Sequence, residues 1–133
     1  MENNQVKGGY NMETENLYKD AVSFLKKLIE TPSFSKEEDK TAQIIQDFLH
    51  QKNVTLFKKG NNIWAYNRNF SAELPTVLLN SHHDTVKPNK SWILNPFNAD
   101  EKDGKLYGLG SNDAGGALVS LISVFLFFMK RKI

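Results

Sequence analysis

The chain has 133 residues, 40% of them apolar and 24% charged, with a formal net charge of +2. That length supports one hydrophobic core rather than two. So small a charge, with lysines scattered apart from Lys130-Arg131-Lys132, offers no electrostatic case for a nucleic-acid partner. Cysteine is absent, which excludes disulfides and any thiolate zinc site, so a metal would have to be held by His and carboxylates.

In chain order, residues 1–16 read as a polar N-terminal tail with no apolar stretch of signal-peptide type, so a cytoplasmic location is the expectation. From about Leu17 to Glu30 the apolar residues Leu17, Ala21, Phe24, Leu25 and Leu28 recur at helical spacing. Thr31-Pro32-Ser33 ends that helix. Ser35 and Glu38 have the spacing of a capping box for a second helix running to about Gln51, with Ala42, Ile45, Phe48 and Leu49 inward. Residues 54–58 and 63–67 read as strands joined by a turn at Gly60-Asn61-Asn62, and residues 77–79 as a buried strand. Asp103-Gly104 is a hairpin signal ahead of a brief strand at 105–107. Layers of helix and strand follow, an α/β class.

The last element spans Ala114 to Met129, a charge-free run ending at Lys130-Arg131-Lys132. It is shorter than the roughly 20 residues a bilayer span needs, and Gly115, Gly116, Ser120 and Ser123 interrupt it. A buried helix packed on the sheet is expected rather than a membrane segment. Its apolar end at Val124-Phe125-Leu126-Phe127-Phe128 would want a covering partner.

Two stretches carry chemistry. The strand at 77–79 delivers Ser81-His82-His83-Asp84. His82 and Asp84 are two positions apart, so extended backbone would put both side chains on one face. One could then ligate a metal while the other steers it, because a metal-bound imidazole usually donates its second ring N–H to a carboxylate. Asp84 is the candidate orienter of His82, and direct coordination by Asp84 is the alternative. The second stretch is Gly108-Leu109-Gly110-Ser111-Asn112-Asp113, where the glycines permit a tight turn and Asn112 or Asp113 could cap the following helix. It lacks the third glycine of a dinucleotide fingerprint. A carboxylate there suits a metal better than a phosphate, which it would repel.

Together these residues resemble the M20 family of zinc aminoacylases and deacetylases. The resemblance runs from about Leu17 to Phe128. Three ordered motifs carry it: His82-His83-Asp84-Thr85-Val86 after an apolar strand, Trp92-Ile93-Leu94-Asn95-Pro96-Phe97, and the run Asp103 to Asp113. Leu109 and Ala114-Gly115 depart from the Arg and Lys-Gly that many members carry, and Asn112-Asp113-Ala114-Gly115-Gly116 looks most like the acetylornithine deacetylase-type branch.

The resemblance implies the N-terminal part of a zinc-peptidase-like domain over residues 17–133, with a mixed sheet flanked by helices and metals at the strand ends. It further implies two zinc ions per complete site, with cobalt as the alternative. His82 would bind one zinc, Asp113 would bridge both, and Asp84 would serve catalysis by holding His82. The implied substrate is a small N-acyl amino acid, the implied pathway arginine biosynthesis, and complete members are often dimeric. The family's general-base Glu and its remaining ligands lie after the Asp113 motif, so this polypeptide is expected to be inactive alone and to resemble a truncated reading frame. The alternative is a non-catalytic remnant or interaction module with a buried or membrane-associating C-terminal helix.

Overall fold

The computed structural model describes the backbone of residues 3–131 and the side chains of residues 12–131. Its elements are α1 (Asn3–Ile29), α2 (Asp39–Gln51), β1 (Phe57–Lys59), β2 (Asn62–Trp64), β3 (Asp100–Lys102), β4 (Lys105–Tyr107) and α3 (Ala117–Met129). The chain is α/β: the described residues place three α-helices around one core and gather their ladders into two antiparallel hairpins, β1–β2 and β3–β4. An isolated parallel bridge joins Phe34 to Thr85.

α1 is the central helix, and its periodicity explains why. Phe24, Leu25, Leu28 and Ile29 are buried in one cluster with Ile45 and Leu49 of α2 and with Val119, Leu126 and Met129 of α3. Phe24 stacks face to face on Phe48, their ring centroids 4.1 Å apart. The predicted inward faces of both helices are the buried ones. The start of the first helix is a correction: it begins at Asn3 rather than Leu17, so residues 3–16 are helical. An ion pair from Arg131 to Glu13 at 2.6 Å fastens that added stretch to the end of α3.

The second helix starts without its predicted capping box. Lys36 takes a left-handed φ of +76°, which turns the chain and separates the two partners. Glu38 accepts the Lys36 amide at 2.5 Å and the Asn61 side-chain amide at 2.9 Å, while the Ser35 hydroxyl donates to Asp84 instead. The proton of that hydroxyl thus goes to a charged acceptor, which makes a strong hydrogen bond. The helix ends in a Schellman motif: Asn53 at φ +58° lets its N–H reach the His50 carbonyl and the Val54 N–H reach that of Leu49. Val54 then packs in the core with Leu49. That role removes Val54 from the predicted strand, which starts at Phe57.

The predicted buried strand at 77–79 is also corrected. Val77 and Leu78 are 84% and 83% exposed, and no ladder forms there. A strand exists only where a neighbour takes its N–H and C=O groups, and among the described residues none does so for 77–79. α3, in turn, packs on α1 rather than on a sheet, and buries only the stripe Val119, Leu126 and Met129. By length and composition Ser111–Met129 could cross a membrane, a test that core helices of soluble proteins also pass.

The β3–β4 hairpin forms where Asp103-Gly104 predicts it, with both turn residues at positive φ, +53° and +70°. This is the pairing of signs that a tight hairpin turn matched to strand twist requires. Lys26 reaches from α1 to Glu101 of β3 at 2.8 Å and holds the hairpin to the helix.

Candidate metal centre

Three segments far apart in sequence meet at the candidate site. The first is extended chain carrying His82, His83 and Asp84. The second is the loop Ser33-Phe34-Ser35 between α1 and α2. The third is the turn Ser111–Gly116 that leads into α3.

The glycine-rich stretch brings the third segment to the first. Gly110 sits at φ +76°, and a Cβ there would lie 2.7 Å from Thr85 Cγ2. Only glycine permits both the left-handed backbone and so close an approach to the chain just after Asp84. The Leu109 N–H donates to the Pro96 carbonyl at 2.7 Å, so the Pro-Phe motif fixes the same turn. Asp113 does not cap α3: its backbone is non-helical, and the helix starts at Ala117 with no side-chain cap. Its carboxylate is thereby left to face His82.

The His82 imidazole lies between two carboxylates. Its Nδ1 is 3.1 Å from Asp84 Oδ1 and 3.2 Å from the Asp84 carbonyl oxygen. Its Nε2 is 3.2 Å from Asp113 Oδ1. A neutral imidazole has one N–H and one lone pair. With the proton on Nδ1 toward Asp84, the Nε2 lone pair would face a carboxylate oxygen, and two acceptors at that distance need a proton or a cation between them. Protonation is favoured accordingly. Burial pulls the His82 pKa down, but hydrogen bonds to the Asp84 carbonyl and Asp113, with the charges of both carboxylates, outweigh it and hold the pKa above the ordinary value. Asp84 is held below the usual carboxylate range, first by the Ser35 hydroxyl, against burial and with help from His82.

The same donor set fits a metal in part. His82 Nε2 and the Asp113 carboxylate, the latter 89% exposed, converge from two segments, and Asp84 stands behind the ring as an orienting carboxylate stands behind a ligand. Among the described residues no group of three or more His, Asp or Glu side chains is arranged to hold a metal ion.

His83 points the other way. Its Nδ1 is 2.9 Å from Thr41 Oγ1 on α2 and its Nε2 is 3.2 Å from the Asn61 carbonyl in the β1–β2 turn. It staples the site loop to two elements and is turned from the Asp113 side. Ser35, Thr41 and Asn61 are the supporting residues that sequence reading missed. Ser35 carried a signal, but its spacing to Glu38 pointed to a cap.

Comparison with known proteins places the sequence beside a known family. The sequence model of Peptidase family M20/M25/M40 matches residues 78–132, the segment holding His82, Asp84 and Asp113. The chain is 31% identical over 139 aligned positions to a protein of Aspergillus clavatus named as a probable carboxypeptidase, covering 96% of this chain and 33% of that protein. It is 36% identical to the succinyl-diaminopimelate desuccinylase of Wigglesworthia glossinidia brevipalpis, over 84% of this chain and 30% of that one. The corresponding enzyme of Blochmanniella floridana is 30% identical, over 84% and 31%. The chain thus spans about a third of the length of the curated relatives it matches.

Proposed function

Because the chain belongs to peptidase family M20/M25/M40, whose members are generally metal-dependent hydrolases, we propose that it carries part of the metal centre of an amidohydrolase acting on small N-acyl amino acids. The observation that supports this most is the convergence of His82 Nε2 and Asp113 at 3.2 Å with Asp84 behind the ring. Zinc or cobalt, when bound, acts as a Lewis acid on the scissile carbonyl and lowers the pKa of water. The residues of the chain do the rest. Asp84 keeps a proton on His82 Nδ1, which leaves Nε2 as the donor atom. Asp113 would hold the metal from the opposite side through its carboxylate oxygen.

The acyl group is read in two ways. The run Asn112-Asp113-Ala114-Gly115-Gly116 favours an acetylornithine deacetylase-type substrate, and arginine biosynthesis with it. The names of the relatives from Wigglesworthia and Blochmanniella favour a succinylated diamino acid. Both reactions cleave an amide to a small acid and a free amino group. A cytoplasmic, dimeric enzyme is part of the same proposal.

Calorimetric titration of the 133-residue chain with zinc tests the centre. Stable protein zinc sites use three or four protein ligands, so weak binding is expected, lost in both His82→Ala and Asp113→Ala. Binding that survives either substitution, or no binding by the unsubstituted chain, overturns the assignment. Tight binding of two equivalents refutes the partial centre. The chain by itself is expected to give no turnover of N-acetyl-ornithine with zinc added, since a general base contributes ~10²–10⁴-fold and the resemblance puts that residue beyond Asp113. Turnover abolished by Asp113→Asn would refute this.

A further inference from the structure

The loop between α1 and α2 grips the site chiefly through three hydrogen bonds, beside a longer one of 3.5 Å from the Thr85 hydroxyl to the Ser33 carbonyl. The Thr85 N–H donates to the Ser33 carbonyl at 2.7 Å, and the Ser33 hydroxyl donates to the His83 carbonyl at 2.9 Å. The first belongs to the isolated parallel bridge of Phe34 with Thr85, and the second is a side-chain bond beside it. The third bond is different in kind, because the Ser35 hydroxyl donates to a side chain, Asp84 Oδ2. It leaves Asp84 Oδ1 to face His82 Nδ1.

We propose that Ser35 is a positioning residue: its hydroxyl fixes the rotation of the Asp84 carboxylate, which fixes the tautomer and ring plane of His82. The terminal torsion of an aspartate is broad and roughly two-fold. With Oδ2 unheld, the carboxylate turns freely and Oδ1 no longer stays in line with Nδ1. The imidazole then loses one of the two acceptors, Asp84 Oδ1 beside the Asp84 carbonyl, that favour the proton on Nδ1 over Nε2, where the 89% exposed Asp113 carboxylate is free to turn aside. Ser33 makes the backbone connections, and it is buried. Removing the Ser35 hydroxyl therefore leaves the loop attached and isolates the effect on Asp84. The consequence for metal affinity rests on the metal-centre reading; the effect on the His82 tautomer does not.

Nitrogen-15 solid-state NMR of the histidine-labelled chain, metal-free and at a pH where the imidazole is neutral, reads the tautomer without requiring a soluble monomer. His82 is identified as the signal missing from His82→Gln. The expected result is a predominant Nδ1–H form in the unsubstituted chain, a shift toward Nε2–H in Ser35→Ala, and return to Nδ1–H in Ser35→Thr, which restores a hydroxyl. An unchanged tautomer in Ser35→Ala overturns the proposal, as does a Thr variant that behaves like Ala. In a second arm, zinc affinity is expected to fall by ~10-fold or more in Ser35→Ala, the scale of outer-sphere substitutions. The same change is expected to have no effect in an Asp84→Ala background. An equal loss in both backgrounds shows that Ser35 does not act through Asp84 and overturns the proposal. If the unsubstituted chain binds no zinc, the metal-centre reading fails while the tautomer measurement still decides the role of Ser35.

Discussion

The exposed apolar chain at 77–79 and at Ile93 predicts self-association, and the scale can be worked from the structure. Val77, Leu78 and Ile93 are 84%, 83% and 95% exposed. Full burial of one such side chain contributes ~1.5–3 kcal/mol, so three on each of two copies offer roughly 9–18 kcal/mol. Association itself costs ~4–15 kcal/mol. The midpoints leave about 4 kcal/mol, which corresponds to a Kd of about 1 mM. Backbone pairing along the open edge at 77–79 adds to that, as unpaired strand edges do. Replacing Leu78 and Ile93 together by Lys removes two of the three contributions from each copy, roughly 6–12 kcal/mol in all, and charges the edge. Sedimentation velocity over about 10 μM to about 1 mM, the range bracketing that Kd, should show concentration-dependent association of the unsubstituted chain and a monomer for the double variant. A monomer at every concentration, with a cooperative thermal transition, would refute the reasoning. It would mean that these side chains find cover within their own chain in solution.

Other outcomes can be measured in that Leu78→Lys, Ile93→Lys background. Phe24→Ala, which empties a fully buried position stacked on Phe48, should cost ~3–5 kcal/mol in urea unfolding; a loss below about 1 kcal/mol, typical of a surface change, would contradict a core centred on α1. Gly110→Val, strained by its φ of +76° and by the Thr85 methyl, should lower stability by ~1–3 kcal/mol and move Asp113 away from His82, so that a His82 pKa followed by NMR falls. Glu38 is held below its ordinary value of 4.5, first by Asn61 and then by the Lys36 amide. Its contribution is therefore complete above that value and is lost as pH drops through the lower folded-state pKa. Urea midpoints on acidification below 4.5 should fall more for the unsubstituted residue than for Glu38→Gln, and parallel curves would show that the Asn61 contact carries no linkage.

Local order was legible wherever a few consecutive residues decide the outcome. Side-chain spacing alone reveals the inward faces of α1 and α2. Asp103-Gly104 needs no distant partner to adopt its turn. His82 and Asp84 meet because extended backbone puts alternate side chains on one face, so half of the candidate centre is a two-residue matter. The remainder depends on partners that spacing cannot name. Asp113 reaches His82 across 31 residues, because Gly110 lets the turn press on Thr85. Ser35 reaches Asp84 across 49, where its local pattern argued for a helix cap that Lys36 turns away from. The stretch 77–79 has the composition of a strand but forms no ladder, since a strand is defined by the chain beside it. Propensity and turn chemistry act within a few residues and are written in the sequence; hydrogen-bond partners and burial belong to whichever groups the fold brings within ångströms, and only the tertiary structure decides those.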